Sequence, residues 1–263
     1  MVNSYIRQAL DYAKSRPSYP AKLFRFIVEQ TPEHELAWDV GTGNGQAARS
    51  LAEHYEKIIA TDTSQPQLDL APKLPNVRYE RTSAIMCKEE LRKTVASESS
   101  VDLVTVAQAI HWFNIPIFYE QARWVLKKPH GVIAAWCYTA PEVSPAMDTV
   151  LKRFHEHPYW RPEAKLLWGN KYSHLEFPFQ PVNGLEGTGP FRFENERSMS
   201  LDDYLAYIRS QCGYQNAIDQ SVELLSREKI QEFTRAWRSD GNSGSKLVNF
   251  PVYLRLGKVG CDV

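Results

Sequence analysis

The stretch "LAWDVGTGNGQAARSLAEHY", residues 36–55, decides the reading of this chain. An apolar run ends at Val40, and glycines follow at alternate positions, Gly41, Gly43 and Gly45. Behind them Ala47, Leu51 and Tyr55 recur at helical spacing. Strand, glycine turn, helix opens a unit that cradles a nucleotide-like ligand at the carboxyl end of a strand. Glycine lets a ligand approach the backbone and permits a left-handed φ. Asp39, however, stands just before the first glycine. A carboxylate there opposes a pyrophosphate by like charge. It suits a positively charged ligand without phosphate, acting directly, through water, or by holding the turn.

Outward from the turn the pattern repeats. "KIIATD" (57–62) is a second apolar run, and it ends in Asp62. An acid about 20 residues after such glycines accepts hydrogen bonds from ribose hydroxyls. "VRYERTS" (77–83), the start of "SVDLVTVAQAIHWF" (100–113) and "GVIAAWCYT" (131–139) read as third, fourth and fifth strands. "SQPQLDLAPKL", "KEELRKTV" and "IPIFYEQARWVLK" read as the helices between them. Five strands alternating with helices predict a parallel sheet covered on both faces. Residues 3–14 and 20–30 read as helices ahead of the first strand. From 140 to about 190 no α/β rhythm is visible. "PFRFENERSMS" (190–200) then reads as a strand, and "LDDYLAYIRSQ" and "REKIQEFTRAWR" as helices. "KLVNFPVYLRLGKV" (246–259) reads as one last strand, with Pro251 marking an edge position or bulge.

The totals narrow the class. The 263 residues suffice for one large domain or a core with an insertion. Lysine plus arginine and aspartate plus glutamate number 31 each, so no charge excess points to nucleic acid. Cys87, Cys137, Cys212 and Cys261 form neither a CxxC pair nor a zinc-ligand spacing. No apolar run approaches the ~20 residues of a membrane span, and the N-terminus has no apolar signal core. The expectation is a soluble, cytoplasmic protein acting on a small molecule, with no nucleic-acid, membrane or metal partner.

Five segments carry a family resemblance: "YAKSRPSYPAKLF", "WDVGTGNGQAA", "ATDTSQPQL", "VDLVTVAQAIHWF" and "FPVYLRLGKV". Through them the chain resembles the class I S-adenosylmethionine-dependent methyltransferases from near residue 12 to 259. "RPSYP" and "AQAIHWF" narrow this to the trans-aconitate-methyltransferase-like branch, which includes plant proteins labelled embryo-abundant. Some plant members resemble O-methyltransferases of phenolics such as stilbenes. The resemblance implies an α/β, Rossmann-like, seven-stranded and mostly parallel sheet with helices on both faces. It implies N-terminal helices closing the cofactor site (1–35) and a cofactor-binding core (36–139). A substrate-side insertion with the sixth strand (140–245) and a final antiparallel strand (246–263) complete the chain.

The implied cofactor is S-adenosyl-L-methionine, whose sulfonium and ammonium suit Asp39. At the turn the implied contacts are Asp39, Gly41, Thr42, Gly43 and Gln46. Asp62, Thr63 and Gln67 fall to the ribose side, and Ser83 and Ala84 to the adenine. Ala107, Gln108 and Ala109 fall to the methionine end, and Tyr19 closes over the site, with Tyr12 and Arg16 in the same segment. The chain departs from its relatives at "TSAIM" (82–86), which holds no acid for the adenine amino group. Contacts at Ser83, Ala84 and Ile85 are then backbone or apolar.

His111 follows the fourth strand at the mouth of the pocket. Three roles stand open: general base for a hydroxyl, orienting group, or packing against Trp112. Trp112, Phe113, Trp136, Tyr138 and Tyr207 are the substrate-binding candidates. The ring-rich region 136–215 favours a small flat acceptor, and no arginine cluster favours a tricarboxylate. Much of the acceptor pocket is expected within 140–215. The expectation is an O-methyltransferase acting on a hydroxyl of a small aromatic, stilbene-like metabolite. The alternatives are a carboxyl O-methyltransferase of a small organic acid and a non-catalytic cofactor-binding scaffold. A nicotinamide oxidoreductase is disfavoured by Asp39 and by the absence of G-x-G-x-x-G spacing.

Overall fold

The structure is a computed structural model and describes residues 17–160 and 169–260. The helix expected over 3–14, with Tyr12 and Arg16, lies outside the described residues. The elements in chain order begin with α1 (Ala21–Glu29), β1 (Leu36–Val40), α2 (Gln46–Leu51), β2 (Lys57–Asp62), α3 (Gln65–Leu68) and β3 (Val77–Arg81). There follow α4 (Lys88–Thr94), β4 (Leu103–Ala107), a 3-10 turn (Ile110–Trp112), α5 (Ile115–Val125) and β5 (Val132–Tyr138). Next come α6 (Pro145–Phe154), β6 (Phe191–Phe193), β7 (Glu196–Met199), α7 (Leu201–Arg209) and α8 (Cys212–Asp219). The chain closes with α9 (Arg227–Trp237), β8 (Lys246–Asn249) and β9 (Val252–Lys258).

The chain forms two compact units. The described residues of the sheet unit are Ser18–Tyr138, Asn170–Phe193 and 252–260. Its seven strands run in the order β3-β2-β1-β4-β5-β9-β6. The first five pair in parallel, and β9 is antiparallel to both β5 and β6. Every residue of β5 is buried, as a strand covered on both faces requires. Trp38, Trp136, Phe118, Leu23 and Ile27 are among its largest fully buried side chains. The Rossmann-like sheet is therefore the one expected. Residues 170–193, grouped with the insertion on sequence, pack with the sheet instead.

At the amino ends of the strands, Lys127 Nζ lies 2.7 Å from carboxylate oxygens of Glu33, Glu35 and Asp102. Asp102 is buried, and its Oδ2 accepts the N–H groups of Glu35 and Leu36 at 2.9 and 2.8 Å. Burial opposes the Lys127 charge, but the three carboxylates overcome it and hold the ammonium well above the usual lysine range. The lysine fills the one described acidic cluster with metal-like spacing, which is thus an ion-pair network.

The described residues of the second unit are Pro17, 139–160, Gly169 and Glu194–Pro251. Here the sequence reading needs correction. The expected strand 246–259 is two strands in two sheets: β8 pairs with β7, while β9 belongs to the large sheet. Pro251 stands in the break, where it removes no ladder hydrogen bond. The expected strand 190–200 likewise divides into β6 and β7. Helices α6 and α8 were not foreseen. The rings expected to wall an acceptor are mostly core. Phe154 packs on Phe233 at 5.7 Å, Tyr204 on Trp237 at 5.7 Å, and Tyr207 on Phe250 at 5.0 Å. In the sheet unit, Tyr172, Phe177 and Phe179 are buried too. Among the described residues no helix is long and apolar enough to cross a membrane.

Candidate functional site

The glycine turn sits at the carboxyl end of β1. Gly41, Gly43 and Gly45 have φ of 65°, 58° and 80°, a region that strains other residues. Each glycine also answers to a different neighbour. A Cβ at Gly41 would lie 2.7 Å from the Ala109 Cβ and 3.5 Å from the Phe113 ring. One at Gly45 would lie 2.6 Å from the Tyr79 hydroxyl. One at Gly43 meets only Gln67 Oε1, at 3.9 Å, so the open face of the turn is above Gly43.

Asp39 is fully buried. Its Oδ2 accepts the Thr42 hydroxyl at 2.5 Å and its Oδ1 the Thr105 hydroxyl at 2.7 Å. These bonds hold the turn, tying Thr42 in the loop to Thr105 in β4. Burial raises its pKa to about 6, against the pull of both hydroxyls and the Ala48 backbone. Thr42 is buried as well, and its N–H donates to Thr61 O at 3.0 Å. Sequence reasoning missed Thr105. The only hint was a lone hydroxyl inside the apolar strand "LVTVA", opposite Asp39 in the β1–β4 register. It also missed Tyr79, whose buried hydroxyl has no partner among the described residues and whose pKa is pushed to about 12 by burial, then by Asp39.

Asp62 ends β2 with one oxygen on the Gly43 N–H and the other on the Ser64 N–H, both at 2.8 Å. The acid thus braces the open glycine and keeps lone pairs for a ligand hydroxyl. Gln67 stands beside it in α3. Gln46 starts α2, and Thr63 is exposed between β2 and α3. Ser83 is exposed, Ala84 half-buried and Ile85 53% exposed, an apolar surface beyond the end of β3. Gln121, deep in α5, holds this segment by donating from Nε2 to Met86 O at 2.8 Å. Nothing in the local pattern marked that glutamine.

Beyond β4, Gln108 has a positive φ of 55°. Its N–H donates to Trp136 O at 2.9 Å and its Nε2 to Tyr138 O at 3.2 Å. Ala107 is half-buried and Ala109 buried against the glycine turn. The 3-10 turn then presents His111 and Trp112, with ring centroids 5.1 Å apart. His111 Nδ1 is enclosed without a hydrogen-bond partner among the described residues. Burial lowers the His111 pKa to about 4, so the imidazole is neutral at pH 7. Trp112 is 51% exposed.

The remaining candidates are placed differently. Phe113 packs on the turn itself. Trp136 is fully buried with Tyr19 and Phe24 edge-on at 5.4 and 6.0 Å, so it backs the site from the core. Tyr19 is half-buried and also lies 6.3 Å from Tyr138. Tyr207 belongs to the other unit, buried in its core.

A sheet of this order, with an open glycine turn, a carboxylate after β2 and a buried acid beneath, defines the class I methyltransferase architecture. The comparisons agree. Residues 38–135 match the family described as a methyltransferase domain. A Dictyostelium discoideum protein named as a methyltransferase is 33% identical over 255 residues, covering 94% of this chain and 91% of that one. The solved structure of a type II methyltransferase from Anaeromyxobacter dehalogenans superposes with a TM-score of 0.75 at 29% identity. That match covers 92% of this chain and 97% of the other. An S-adenosylmethionine-dependent methyltransferase of Saccharomyces cerevisiae is 30% identical over 138 residues, 51% of this chain and 47% of its own. The chain belongs to the class I S-adenosylmethionine-dependent methyltransferases. The residues present fit that cofactor: Gly43 leaves its face open and Asp62 retains acceptor capacity beside it.

Proposed function

We propose that this methyltransferase acts on a hydroxyl of a small aromatic metabolite, with His111 as the group that receives the hydroxyl proton. Bound S-adenosylmethionine supplies an electrophilic methyl group on a sulfonium. The residues that would hold it are Gly41, Gly43 and Gln46 at the turn, Asp62 and Gln67 toward the ribose, and Ala107 and Gln108 toward the methionine. The observation that carries the reading is His111 itself. It sits in the turn directly after β4, neutral through burial, with Nδ1 unpartnered among the described residues. A neutral imidazole can take a proton, and it offers no cation to a carboxylate. This favours a hydroxyl acceptor over the small organic acid. The branch of phenolic, plant-type O-methyltransferases is consistent with "RPSYP" and "AQAIHWF", and with Trp112 standing exposed beside His111.

A base with a pKa of about 4 is weak, so its effect belongs at the low end of the ~10²–10⁴-fold range of general-base catalysis. His111→Ala is expected to lower kcat about 10²-fold on a phenol while the Kd for S-adenosylmethionine stays unchanged. The deficit should shrink as the acceptor's own hydroxyl becomes more acidic, because an ionised nucleophile needs no base. Near-normal turnover on weakly acidic phenols, or a deficit independent of acceptor acidity, would sink the role of His111.

A further inference from the structure

The turn that carries His111 is locked to the glycine turn by apolar contact. His111 stands midway in the segment Ala109–Phe113, and both ends of that segment close on Gly41. A Cβ placed on Gly41 would fall 2.7 Å from the Ala109 Cβ, and 3.5 and 3.6 Å from Phe113 Cε2 and Cζ. Two side chains of the His111 turn thus occupy the space where a side chain of Gly41 would stand. Phe113, a ring expected on sequence to meet the acceptor, lies between the two turns.

Each turn is tied down on its own side. Trp112 N–H donates to Ala109 O at 2.9 Å, and Phe113 N–H to Ile110 O at 3.2 Å. Ile110 is fully buried and Ala109 is buried. Behind Phe113 stands the buried Phe118 of α5, with ring centroids 5.3 Å apart. On the other turn, Thr42 N–H donates to Thr61 O at 3.0 Å and Gly43 N–H to Asp62 Oδ2 at 2.8 Å. Close-packed contacts of this kind have little give and pass a displacement on. Methyl transfer requires nucleophile, methyl and sulfur in line, and a misplacement of about 1 Å can cost ~10²-fold in rate.

We propose that Phe113, with the Ala109 methyl, is a positioning residue that sets the spacing between the cofactor turn and His111, so that filling the one turn moves the other. The kinetic arm of the test rests on the reading of His111 as the proton acceptor, and the spectroscopic arm does not.

The spectroscopic arm uses the full chain carrying ¹³C in its histidine rings, titrated with S-adenosylhomocysteine. The His111 signal is assigned by its loss in His111→Ala. Saturation is expected to shift that signal in the wild type. Phe113→Ala, at its own saturating concentration, should lose roughly half of the shift or more, and Ala109→Gly serves as the variant if Phe113→Ala fails to fold. No shift in the wild type, or a shift of full size in the folded variant, overturns the proposal. In the kinetic arm, Phe113→Ala should lower kcat about tenfold at saturating S-adenosylmethionine, and the same change made in His111→Ala should lower it little further. Equal losses in both backgrounds make Phe113 a packing residue alone and overturn the proposal. Normal turnover of His111→Ala defeats the proton-acceptor reading instead, and the spectroscopic arm then decides.

Discussion

Asp39 shows how one buried side chain couples the turn to the sheet. The unfolded carboxyl loses its proton near its ordinary value of 3.8, and the folded one near 6. Between those values the folded chain binds more protons, so this group's contribution to stability falls as pH rises through the window. The loss totals about 3 kcal/mol and is complete above pH 6. Asp39→Asn should remove that slope: the stability difference between mutant and wild type, measured by urea unfolding, changes between pH 4 and 6 and is flat above. A difference constant across the window would contradict the buried, ionisable placement. For Asp62 the proposed role is on the ligand side. Its carboxylate braces the Gly43 and Ser64 amides, and Asp62→Ala should raise the S-adenosylmethionine Kd about tenfold, as lost hydrogen bonds to a charged group imply. An unchanged Kd by calorimetry would remove the ribose-side role. Both acids were legible, because strand-acid-glycine and strand-ending acid are patterns of short range. Thr105 and Tyr79 were not, since their roles depend on strands meeting across the sheet.

At the level of elements, periodicity found every strand of the parallel sheet, because each is a short apolar run closed by turn residues. It failed where a strand changes sheet. Glu194–Asn195 and Phe250–Pro251 interrupt runs that alternate well on either side, and alternation carries no mark of which sheet a strand joins. Helix α6 had a signal that went unused: Ser144 accepts the Met147 N–H at 3.3 Å, Pro145 follows, and Asp148 sits in the first turn. The surrounding prolines and rings masked it. The joint between the starts of β1 and β4 rests on Lys127 and Asp102. Lys127→Met leaves the Asp102 carboxylate buried beside two exposed glutamates. Its cost should be about 2–3 kcal/mol, below the full penalty for breaking a buried pair because Lys127 is itself partly solvated. Chemical denaturation measures it, and a loss under about 0.5 kcal/mol would make the network ornamental.

Across the whole molecule, neutral charge and ordinary composition said little beyond a folded, small-molecule protein, and the division into two units was hidden. The sequence suggested one insertion, whereas residues 170–193 fold with the sheet and 194–251 with the second unit. Such interleaving depends on long-range packing. The ring count misled for a related reason: rings concentrate wherever a core must be built, and Phe154, Trp160, Tyr204 and Tyr207 are core. The acceptor reading therefore rests on His111. The most direct measurement offers the enzyme an aromatic acid that carries both a phenolic hydroxyl and a carboxyl, with methyl-labelled S-adenosylmethionine. The product is then treated with mild alkali, which releases a methyl ester as methanol and leaves a methyl ether intact. The account predicts that the label stays on the aromatic product. Label recovered as methanol would contradict it.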